Sequence, residues 1–414
     1  MKIAVVGAGI SGMLSAYLLC DEHEVTVFEA NDYIGGHTHT VDATLAGQTY
    51  AVDTGFIVFN EATYPNFVKL MKRLGVAWKL SNMSFSVTCQ RTGLEYSPSS
   101  LNAFFAQRRN LLRPSFYRLV RDVLRFRRES QELLAGEDWQ TTLGDYLDRN
   151  RYSRRFIDEF IVPMGAAIWS ADPGEFRDVP ARFFAQFFHN HGFLEVKDQP
   201  QWLTLRGGSR SYVGPLTEPY RDRVRLQCPV ERVQRFGDHV EVTPRGAEPE
   251  RFDHVVLATH SDQALTLLAD PSDAEREILA AIPYQPNDTV LHTDASLLPR
   301  LRRVWASWNY IIPREARSRV AVTYDMNILQ SIPAPEELCV TLNCAEAIDP
   351  SKVLLRQLYH HPVFTPEGIA AQKRRDEISG VNRTCFCGAY WSYGFHEDGV
   401  RSALAVAAKF GKSL

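Results

Sequence analysis

The sequence predicts an α/β fold built as two domains, and three observations lead to that prediction. The chain has 414 residues, 45% of them hydrophobic, which is more than one small domain needs to bury a core. Its start, MKIAVVGAGISG, places a short β-branched strand (residues 2–6) directly before spaced glycines and a helix. Strand-like segments return at residues 224–243 and 251–260. Strands that alternate with helices are typical of α/β architecture.

The composition argues against several classes of function. The net charge is −3, from 46 basic and 49 acidic residues, so no excess points to nucleic acid as a partner. The seven cysteines form no CxxC pair and no zinc-spaced set with histidine, so we expect no metal site and a reducing, cytoplasmic setting. The first apolar run is too short for a signal peptide, and no run approaches membrane-spanning length. The oligomeric state does not follow from the sequence.

The opening segment carries a dinucleotide-binding pattern. Gly7, Gly9 and Gly12 form G-x-G-x-x-G between the first strand and a helix predicted over residues 13–20. Gly7 allows the tight turn, Gly9 lets the backbone approach a pyrophosphate, and Gly12 lets helix and strand pack closely. The helix N-terminus offers N–H groups to phosphates. The second strand, EVTVFE, ends on Glu29, which can accept hydrogen bonds from a ribose diol.

A second glycine pair distinguishes the kind of dinucleotide. The stretch EANDYIGGHTHT contains Gly35 and Gly36. A plain NAD domain does not need this pair, whereas a longer dinucleotide bound in an extended form does. Here the chain resembles the flavin amine oxidase superfamily, which includes monoamine and polyamine oxidases, protoporphyrinogen oxidase and phytoene desaturases. Its fingerprint is GxGxxG, then E-x5-GG, usually followed by Arg. The resemblance implies FAD, and His37 stands where the arginine is usual.

Two internal segments are similar to the same superfamily. AVDTGFIVF, residues 51–59, resembles the stretch that reaches the flavin ring, near Gly55 and Phe56. In the segment 224–243, Val230 matches the valine whose backbone lies on the adenine in relatives. Both resemblances imply that the chain contacts the cofactor at its two opposite ends.

The segment CFCGAYWSYGFHEDGVRSALAVAAKF is the last that is similar. It predicts a strand ending at Gly388 and a helix starting near Asp398, which can cap that helix. The helix N-terminus would point at the flavin N1/C2 edge and stabilise negative charge there. Ala389 stands where relatives usually have an acidic residue that binds the ribityl chain. Cys385 and Cys387 do not fall where covalent amine oxidases attach flavin, so we expect non-covalent FAD.

The resemblance thus implies one FAD-binding set, which comprises Gly7, Gly9, Ser11, Gly12, Glu29, Ala30, Gly35, Gly36, His37, Thr38, Gly55, Phe56, Val230, Gly388, Ala389, Asp398, Gly399 and Val400. It also implies a two-domain FAD-binding flavoprotein oxidase fold, in which a Rossmann-like domain is interrupted by a substrate domain. We expect the FAD-binding domain at residues 1–60, 200–268 and 380–414. The substrate-binding domain is then residues 61–199 and 269–379.

A narrower resemblance bears on the substrate. The runs PMGAAIWSADP (163–173), FFHNHGFL (187–194), PQWLTLRGGSRSYV (200–213) and YHHPVFTP (359–366) are similar to bacterial flavoproteins encoded beside cyclopropane-fatty-acid-synthase-like methyltransferases. This resemblance implies an FAD-dependent oxidoreductase that desaturates an apolar, fatty-acyl substrate by hydride transfer to flavin N5. An amine oxidase is the alternative. A flavin-dependent isomerase, or a lipid-binding flavoprotein without net redox turnover, is a further one. The electron acceptor does not follow from the sequence.

Histidines are the candidate catalytic residues. Amine oxidases frame the flavin with two aromatic side chains, and the matching positions fall near His360, His361 and His396. Imidazoles there indicate proton acceptance or the binding of an oxygen function. The alternative is that these histidines are satisfied structural groups. We expect His189 and His191, which lie in an aromatic stretch, to be structural.

The segment 107–128 bears on the membrane. It contains eight arginines and one Asp, and Pro114 can start a helix. At helical spacing, four arginines fall on one arc: Arg118, Arg121, Arg125 and Arg128. The opposite side carries Phe116, Leu119, Val120, Val123, Leu124 and Phe126. Such a helix can bind a membrane surface peripherally, or it can pack on its own protein with solvated arginines; the sequence leaves both interpretations open.

Overall fold

A computed structural model describes residues 1–190, 200–315 and 319–414. His191 and Phe193 of the aromatic stretch lie outside the described residues. The strands are β1 (Lys2–Val6), β2 (Glu24–Phe28), β3 (Thr40–Leu45), β4 (Gln48–Asp53), β5 (Phe59–Asn60), β6 (Trp78–Leu80), β7 (Phe85–Cys89), β8 (Leu94–Tyr96), β9 (Trp202–Leu205), β10 (Val224–Arg225), β11 (Val230–Arg235), β12 (Val240–Pro244), β13 (Glu250–Phe252), β14 (His254–Leu257), β15 (Tyr284–His292), β16 (Trp308–Ile312), β17 (Ala321–Asp325), β18 (Cys339–Leu342), β19 (Val353–Pro362) and β20 (Thr384–Phe386).

The α-helices are α1 (Ile10–Leu19), α2 (Pro65–Leu74), α3 (Leu101–Phe104), α4 (Pro114–Ala135), α5 (Leu143–Arg149), α6 (Arg154–Phe156), α7 (Val162–Trp169), α8 (Ala181–Asn190), α9 (Val213–Thr217), α10 (Ser261–Leu267), α11 (Asp273–Ala280), α12 (Met326–Leu329), α13 (Pro366–Gln372), α14 (Arg375–Ile378) and α15 (His396–Lys409).

A five-stranded parallel sheet in the order β10-β2-β1-β14-β20 forms the first layer. The predicted opening strand is its central strand, and Ile3 and Val5 are fully buried, as a strand covered on both faces requires. Helix α1 packs against α15 beside this sheet. It begins at Ile10, three residues before the predicted start, because Gly9 already adopts the extended N-cap conformation. Gly12 therefore lies inside the first turn.

A seven-stranded mixed sheet, ordered β19-β15-β18-β17-β16-β7-β8, forms a second body. The β3–β4 hairpin packs its apolar side chains against this sheet in one hydrophobic core. Helices α4 to α8 share a separate core rich in phenylalanine. The parallel sheet draws its strands from residues 2–28, 224–257 and 384–386, and the mixed sheet from residues 85–96 and 284–362. The exact division into the two predicted domains stays a prediction.

Helix α4 is the predicted basic helix, and it starts at Pro114 as expected. Phe116, Leu119 and Phe126 are buried against the phenylalanine-rich core. The predicted apolar side was partly wrong, because Val120 and Leu124 are exposed. The two lie next to the arginines on the outward face, so the outer surface of α4 mixes apolar and basic side chains.

The predicted arc of four solvent-facing arginines was also partly wrong. Arg125 is only partly exposed: its Nε donates to Glu129 Oε1 at 2.8 Å, and its guanidinium lies 4.2 Å from the centre of the Tyr152 ring. Arg118, Arg121 and Arg128 remain exposed. The difference arises because the loop between α5 and α6 covers this edge of α4 with Asn150 and Tyr152, which helical spacing alone does not reveal.

Candidate functional site

The first glycine turn is built to receive a phosphate. Gly7 has φ +102°, and a Cβ there would lie 2.7 Å from Ala258 O. A Cβ on Gly12 would lie 2.0 Å from Gly7 O, so the helix can approach the strand only without a side chain. At Gly9 the Cβ direction is open, with no protein atom within 4 Å. Since no side chain caps α1, its first N–H groups face this open space.

The second glycine turn lies directly on the first. Gly35 N donates to Ala8 O at 2.9 Å. A Cβ on Gly36 would lie only 3.2 Å from Gly9 Cα, and one on Gly35 would lie 2.3 Å from Thr38 O. The two turns that the sequence places about 25 residues apart therefore form one cradle. Such a cradle suits a pyrophosphate that both glycine turns contact.

Glu29 stands at the edge of the cradle. It is buried, its Oε2 accepts from Ala8 N at 2.8 Å, and its Oε1 accepts from Asn31 N and Nδ2 at 2.9 Å. A carboxylate has about four acceptor positions, so capacity remains for a ribose diol. Cys228 N donates to Glu29 O at 2.8 Å, which brings Val230 at the start of β11 near the same edge. The structure thus gathers the predicted adenosine contacts.

The other end of the site is formed by the segment after β4. Phe56 N donates to His37 O at 2.7 Å, and a Cβ on Gly55 would lie 2.3 Å from that oxygen. The Phe56 ring stacks on the His396 imidazole, with ring centres 3.7 Å apart and planes 5° apart. Gly55, Phe56 and the start of α15 therefore meet, as the predicted flavin contacts require.

Asp53 anchors this segment. Its carboxylate is fully buried and accepts from Thr40 Oγ1 at 2.5 Å, from both Ser209 N and Ser209 Oγ at 2.8 Å, and from Gln330 Nε2 at 2.7 Å. Burial raises the pKa of Asp53 to about 6. One side chain therefore joins the β3–β4 hairpin to the loop after β9 and to the end of α12. Sequence reasoning missed this role, because its partners are far apart along the chain.

The N-terminus of α15 is capped as predicted, with a shift of two residues. The helix begins at His396 rather than near Asp398, and Asp398 Oδ2 reaches back to accept from Phe395 N at 3.0 Å. Burial raises the pKa of Asp398 to about 6. Close packing continues behind the cap, where a Cβ on Gly399 would lie 2.8 Å from Ile10 Cγ2. The two helix N-termini of the site are thereby held side by side.

The remaining members of the predicted FAD set lie around these contacts. Gly388 N donates to Ser402 Oγ at 2.8 Å, which ties the end of β20 to α15. Ala389 follows it and is half-buried, Val400 and Ser11 are buried, and Ala30 is exposed beside Glu29. None of these side chains supplies a charge, so a contact to them would come from backbone groups.

His396 belongs to a buried hydrogen-bonded group of three. Its Nε2 lies 2.7 Å from Tyr212 Oη and 3.3 Å from Thr38 Oγ1, and those two oxygens are also hydrogen-bonded to each other. Burial lowers the pKa of His396 to about 3, so the imidazole is neutral at pH 7. Tyr212 had no signal in the sequence. The catalytic role of His396 stays a prediction.

That prediction can be tested with His396→Ala. We expect the variant to retain FAD, because the glycine cradle is untouched, but to reduce its flavin at least about tenfold more slowly, as loss of a positioned proton acceptor implies. The measurement is anaerobic bleaching of bound flavin in a stopped-flow instrument. Tyr212→Phe is the matched control for the buried hydrogen bonds alone. An unchanged bleaching rate in His396→Ala would make the imidazole a structural group.

The other candidate histidines form a separate group, which we call the histidine cluster: His37, His260, His360 and His361. The His37 ring centre lies 5.3 Å from that of His361 and 6.4 Å from that of His260, and His260 lies 6.4 Å from His360. Burial lowers the pKa of His37 and His260 to about 4 and that of His361 to about 3. The structure thus brings His360 and His361 to His37 rather than to His396.

His260 is the member of the cluster that sequence reasoning missed. It follows β14, at the carboxyl end of a central strand of the parallel sheet. Ligands of open α/β sheets bind beyond the carboxyl ends of the strands. That rule was the signal that could have identified it.

An aromatic layer covers the N-terminus of α15, and we define it by Trp169, Phe183, Phe187, Tyr393 and Phe395. Ring centres are 5.1 Å apart for Phe187 and Phe395, 4.5 Å for Trp169 and Phe187, and 4.8 Å for Phe183 and Tyr393. On its outer side, Phe183 and Tyr393 line a cleft of about 170 Å³.

Other features bear on the remaining predictions. All seven cysteines are free, and burial raises the pKa of Cys385 to about 11 and of Cys387 to about 12. In the described ranges, no three side chains of His, Cys, Asp or Glu are grouped so that they could hold a metal ion. None of the helices in the described part of the chain has the length and apolar character needed to cross a bilayer.

The cradle passes a direct test for FAD. Gly9 leaves open space where a side chain would meet a phosphate, and His37 Nε2 is a buried nitrogen without a hydrogen-bond partner. Glu29 and Val230 stand at one end and Gly55, Phe56 and α15 at the other. The residues present therefore fit an extended dinucleotide with a flavin ring at the α15 end.

Comparison with known proteins agrees with this geometry. The profile of the family described as "Flavin containing amine oxidoreductase" matches residues 10–294. A flavin-dependent L-tryptophan oxidase of Lentzea aerocolonigenes is 26% identical over 277 residues, which cover 62% of this chain and 57% of the oxidase. A flavin-containing amine oxidase of Oncorhynchus mykiss is 25% identical over 271 residues, covering 62% and 49%. The chain thus spans about half the length of these curated relatives.

Two further likenesses concern other chemistries and the fold. A zeta-carotene desaturase of Zea mays is 37% identical over 76 residues, 18% of this chain and 13% of that protein. The crystal structure of a CLA-producing fatty acid isomerase from P. acnes superimposes with a TM-score of 0.71 at 17% identity, covering 99% and 98% of the two chains. Cyclohexylamine oxidase from Brevibacterium oxydans IH-35A gives 0.68 at 17% identity, covering 99% of both. These structures confirm the predicted flavoprotein oxidase fold.

Proposed function

We propose, from the premise that the chain belongs to the flavin-containing amine oxidoreductase family, that it is an FAD-dependent enzyme that dehydrogenates a fatty-acyl lipid. FAD is the cofactor, as the sequence predicted, because the family is flavin-containing. When bound, FAD supplies a two-electron acceptor. The work of the chain's own side chains is then to hold an apolar C–H bond at the flavin and to exclude water.

The aromatic layer is the observation that best supports an acyl substrate. Phe187 and Trp169 are buried, and Phe395, at the N-cap of α15, stacks on Phe187. The carboxylates nearest to this N-cap are already engaged: Glu397 Oε2 accepts from Phe67 N at 2.9 Å, and Asp398 accepts from Phe395 N. These hydrogen bonds occupy acceptor positions of two buried carboxylates, so fewer positions are left for an ammonium substrate, whereas an alkyl chain needs only the ring faces.

The resemblance to flavoproteins that act on acyl chains supports the same substrate class. The names of the relatives indicate that they act on an amino acid, on amines and on a carotene, and one structural neighbour is a fatty acid isomerase. The family therefore accommodates apolar substrates as well as amines. The aromatic layer of this chain favours the apolar class.

The deciding experiment is anaerobic. The purified holoprotein is mixed with fatty acids, phospholipids and primary, secondary and tertiary amines in turn, and flavin absorbance is followed. Acyl lipid should bleach the flavin and yield a product with two hydrogens fewer by mass spectrometry. Bleaching by amines alone would make the chain an amine oxidase. A product of unchanged mass would make it an isomerase, and lipid bound without either change would make it a binding protein.

We further propose that the enzyme docks on an anionic membrane surface through a patch around α4, which we call the docking patch. Its apolar members are exposed, by 88% for Leu112, 54% for Leu124 and 51% for Tyr117. Exposed basic members flank them: Arg108, Arg109, Arg113, Arg118 and Arg121. Apolar side chains among arginines are what an interfacial helix presents to lipid headgroups. Each arginine contributes about 1 kcal/mol near an anionic surface.

The position of this patch connects it with the proposed substrate. The inner face of α4 packs on α8, where Phe126 lies against Phe184 with ring centres 6.0 Å apart. Helix α8 also carries Phe183 and Phe187 of the aromatic layer. A bilayer under the docking patch would thus lie one helix away from the side chains proposed to hold the acyl chain.

The docking proposal predicts co-sedimentation with vesicles that depends on both components of the patch. Native protein should bind phosphatidylglycerol vesicles at low salt and phosphatidylcholine vesicles weakly. The double variant with Arg118→Gln and Arg121→Gln should lose the preference for anionic vesicles. The double variant with Tyr117→Ser and Leu124→Ser should lose the part of the binding that persists at high salt. The matched control changes two exposed arginines on a distant hairpin, Arg245 and Arg251, to Gln. Native protein that ignores anionic vesicles at low salt would contradict docking.

A further inference from the structure

The histidine cluster contains a buried nitrogen without a hydrogen-bond partner. His37 Nε2 is shielded from solvent and has no hydrogen-bond partner. A buried polar atom without a partner is rare, because its desolvation costs about 1–3 kcal/mol. His37 Nε2 is therefore available to a group that the described chain itself does not supply.

His37 follows the second glycine turn directly, where that turn contacts the first glycine turn. Gly36 precedes it directly, and a Cβ on Gly36 would lie 3.2 Å from Gly9 Cα. The Cβ direction of Gly9 opens into space without protein atoms, where the pyrophosphate of FAD fits. Across this space, His260 follows the loop whose Ala258 O closes on Gly7. His37 and His260 thus stand on two walls of one cradle.

We infer that His37, supported by His260 and His361, takes the place of the usual arginine: it donates a hydrogen bond from Nε2 to the FAD pyrophosphate, and one proton is taken up when FAD binds. The inference rests on FAD as the cofactor and not on the proposed acyl substrate. A neutral imidazole can donate one N–H, but it matches the positive charge of the usual arginine only after taking up a proton, whereas arginine carries its charge permanently.

The groups around His37 explain why a single proton is expected. The rings packed around it are those of Tyr359, with ring centres 4.9 Å apart, and of His361 and His260. The imidazole of His360 also lowers the pKa of His37, and His37 in turn lowers the pKa of His396. No carboxylate or permanent cation is among these groups in the described part of the chain. Without an anion nearby, burial and the neighbouring imidazoles hold the pKa of His37 down at about 4.

A bound pyrophosphate reverses this balance. It brings negative charge to the cradle, and an opposite charge within reach favours the protonated imidazole. A second protonated imidazole only 5.3 Å away at His361 would be repelled by the first, so uptake stops near one proton. At pH values between the pKa of His37 without FAD and its higher pKa with FAD, the FAD-bound protein holds more protons than the FAD-free protein. Affinity for FAD must then rise as the pH falls, by up to about tenfold per pH unit for one linked proton.

The test follows cofactor release and not catalysis. Holoprotein is diluted in series between pH 6 and pH 8.5, and the fluorescence of released FAD gives an apparent Kd at each pH. The native protein should show log Kd rising with pH with a slope approaching one. His37→Arg should hold FAD with a flat profile, because its charge is permanent. His37→Gln, which keeps a donor but cannot take up the proton, should be flat and at least tenfold weaker at pH 6.

The matched control is His189→Ala, since His189 is exposed on α8. This variant should keep the native slope of log Kd against pH. A flat native profile, or a native-like slope in His37→Gln, would overturn the inference. If His37→Gln cannot be isolated with FAD, the comparison of native protein with His37→Arg decides alone. Failure here would leave the acyl-lipid proposal standing, since that proposal is read from flavin bleaching by substrate.

Discussion

Gly9→Val is expected to abolish FAD binding while the chain remains folded. The Cβ direction of Gly9 meets no protein atom within 4 Å, so the added side chain strains nothing in the protein itself. It fills the space over the N-terminus of α1 instead, where a phosphate would bind. The loss of these backbone contacts should weaken binding by on the order of 100-fold or more, which corresponds to about 3 kcal/mol.

The measurement for Gly9→Val is the flavin absorbance of the purified protein, with circular dichroism as the check on folding. Gly237→Val is the matched control, because Gly237 also has an open Cβ direction but lies in a distant turn. Gly12→Val provides the contrast: its Cβ would lie 2.0 Å from Gly7 O, so we expect misfolding. Bound FAD in Gly9→Val at a native stoichiometry would refute the cradle as the phosphate site.

Asp53→Ala is expected to cause a large loss of stability in a chain that still folds. The variant leaves Ser209 N, Ser209 Oγ and Gln330 Nε2 without their buried acceptor. One unsatisfied buried group costs about 1–3 kcal/mol, so the sum should exceed about 3 kcal/mol. Because Asp53 precedes Gly55 by two residues, the segment expected to touch the flavin should loosen as well, and FAD should dissociate at lower denaturant than in the native protein.

Urea unfolding of the holoprotein at pH 8, followed by both flavin fluorescence and circular dichroism, measures this loss. The matched control is Asp42→Ala on the neighbouring strand β3. Its carboxylate pairs with Arg210 while 51% exposed, so its removal should cost less than about 1 kcal/mol. Equal midpoints for the Asp53 and Asp42 variants would show that the buried network contributes little.

The parts of the site that could be predicted are those encoded by neighbouring residues. Gly7, Gly9 and Gly12 lie within one turn of chain, and Glu29 follows at the end of the next strand, so spacing alone placed them. The packing requires or favours glycine at each position for a different reason: at Gly7 the φ of +102°, at Gly12 the contact with Gly7 O, and at Gly9 the open space. The helix at the end of the site was also foreseen, with its start two residues late.

What could not be predicted depends on contacts between remote segments. The histidine cluster joins residues from the second glycine turn, the end of β14 and β19, and nothing in the spacing of His37, His260 and His361 announces that they meet. On a helical projection Arg125 faces solvent, whereas in the fold the loop between α5 and α6 covers it. Asp53 has an ordinary place at a strand end, and its importance comes from partners at Ser209 and Gln330. Periodicity describes one element, whereas burial depends on its neighbours.

The order of strands in the parallel sheet has a consequence for biosynthesis. Strand β14 has β1 on one side and β20 on the other, and α1 packs on α15, so the first and last α-helices are neighbours. During translation, β14 must wait with one edge unpaired until residues 384–386 leave the ribosome. An unpaired edge invites association with other chains. Nascent protein should therefore depend on chaperones, and cofactor supplied during synthesis can be captured only after α15 has emerged.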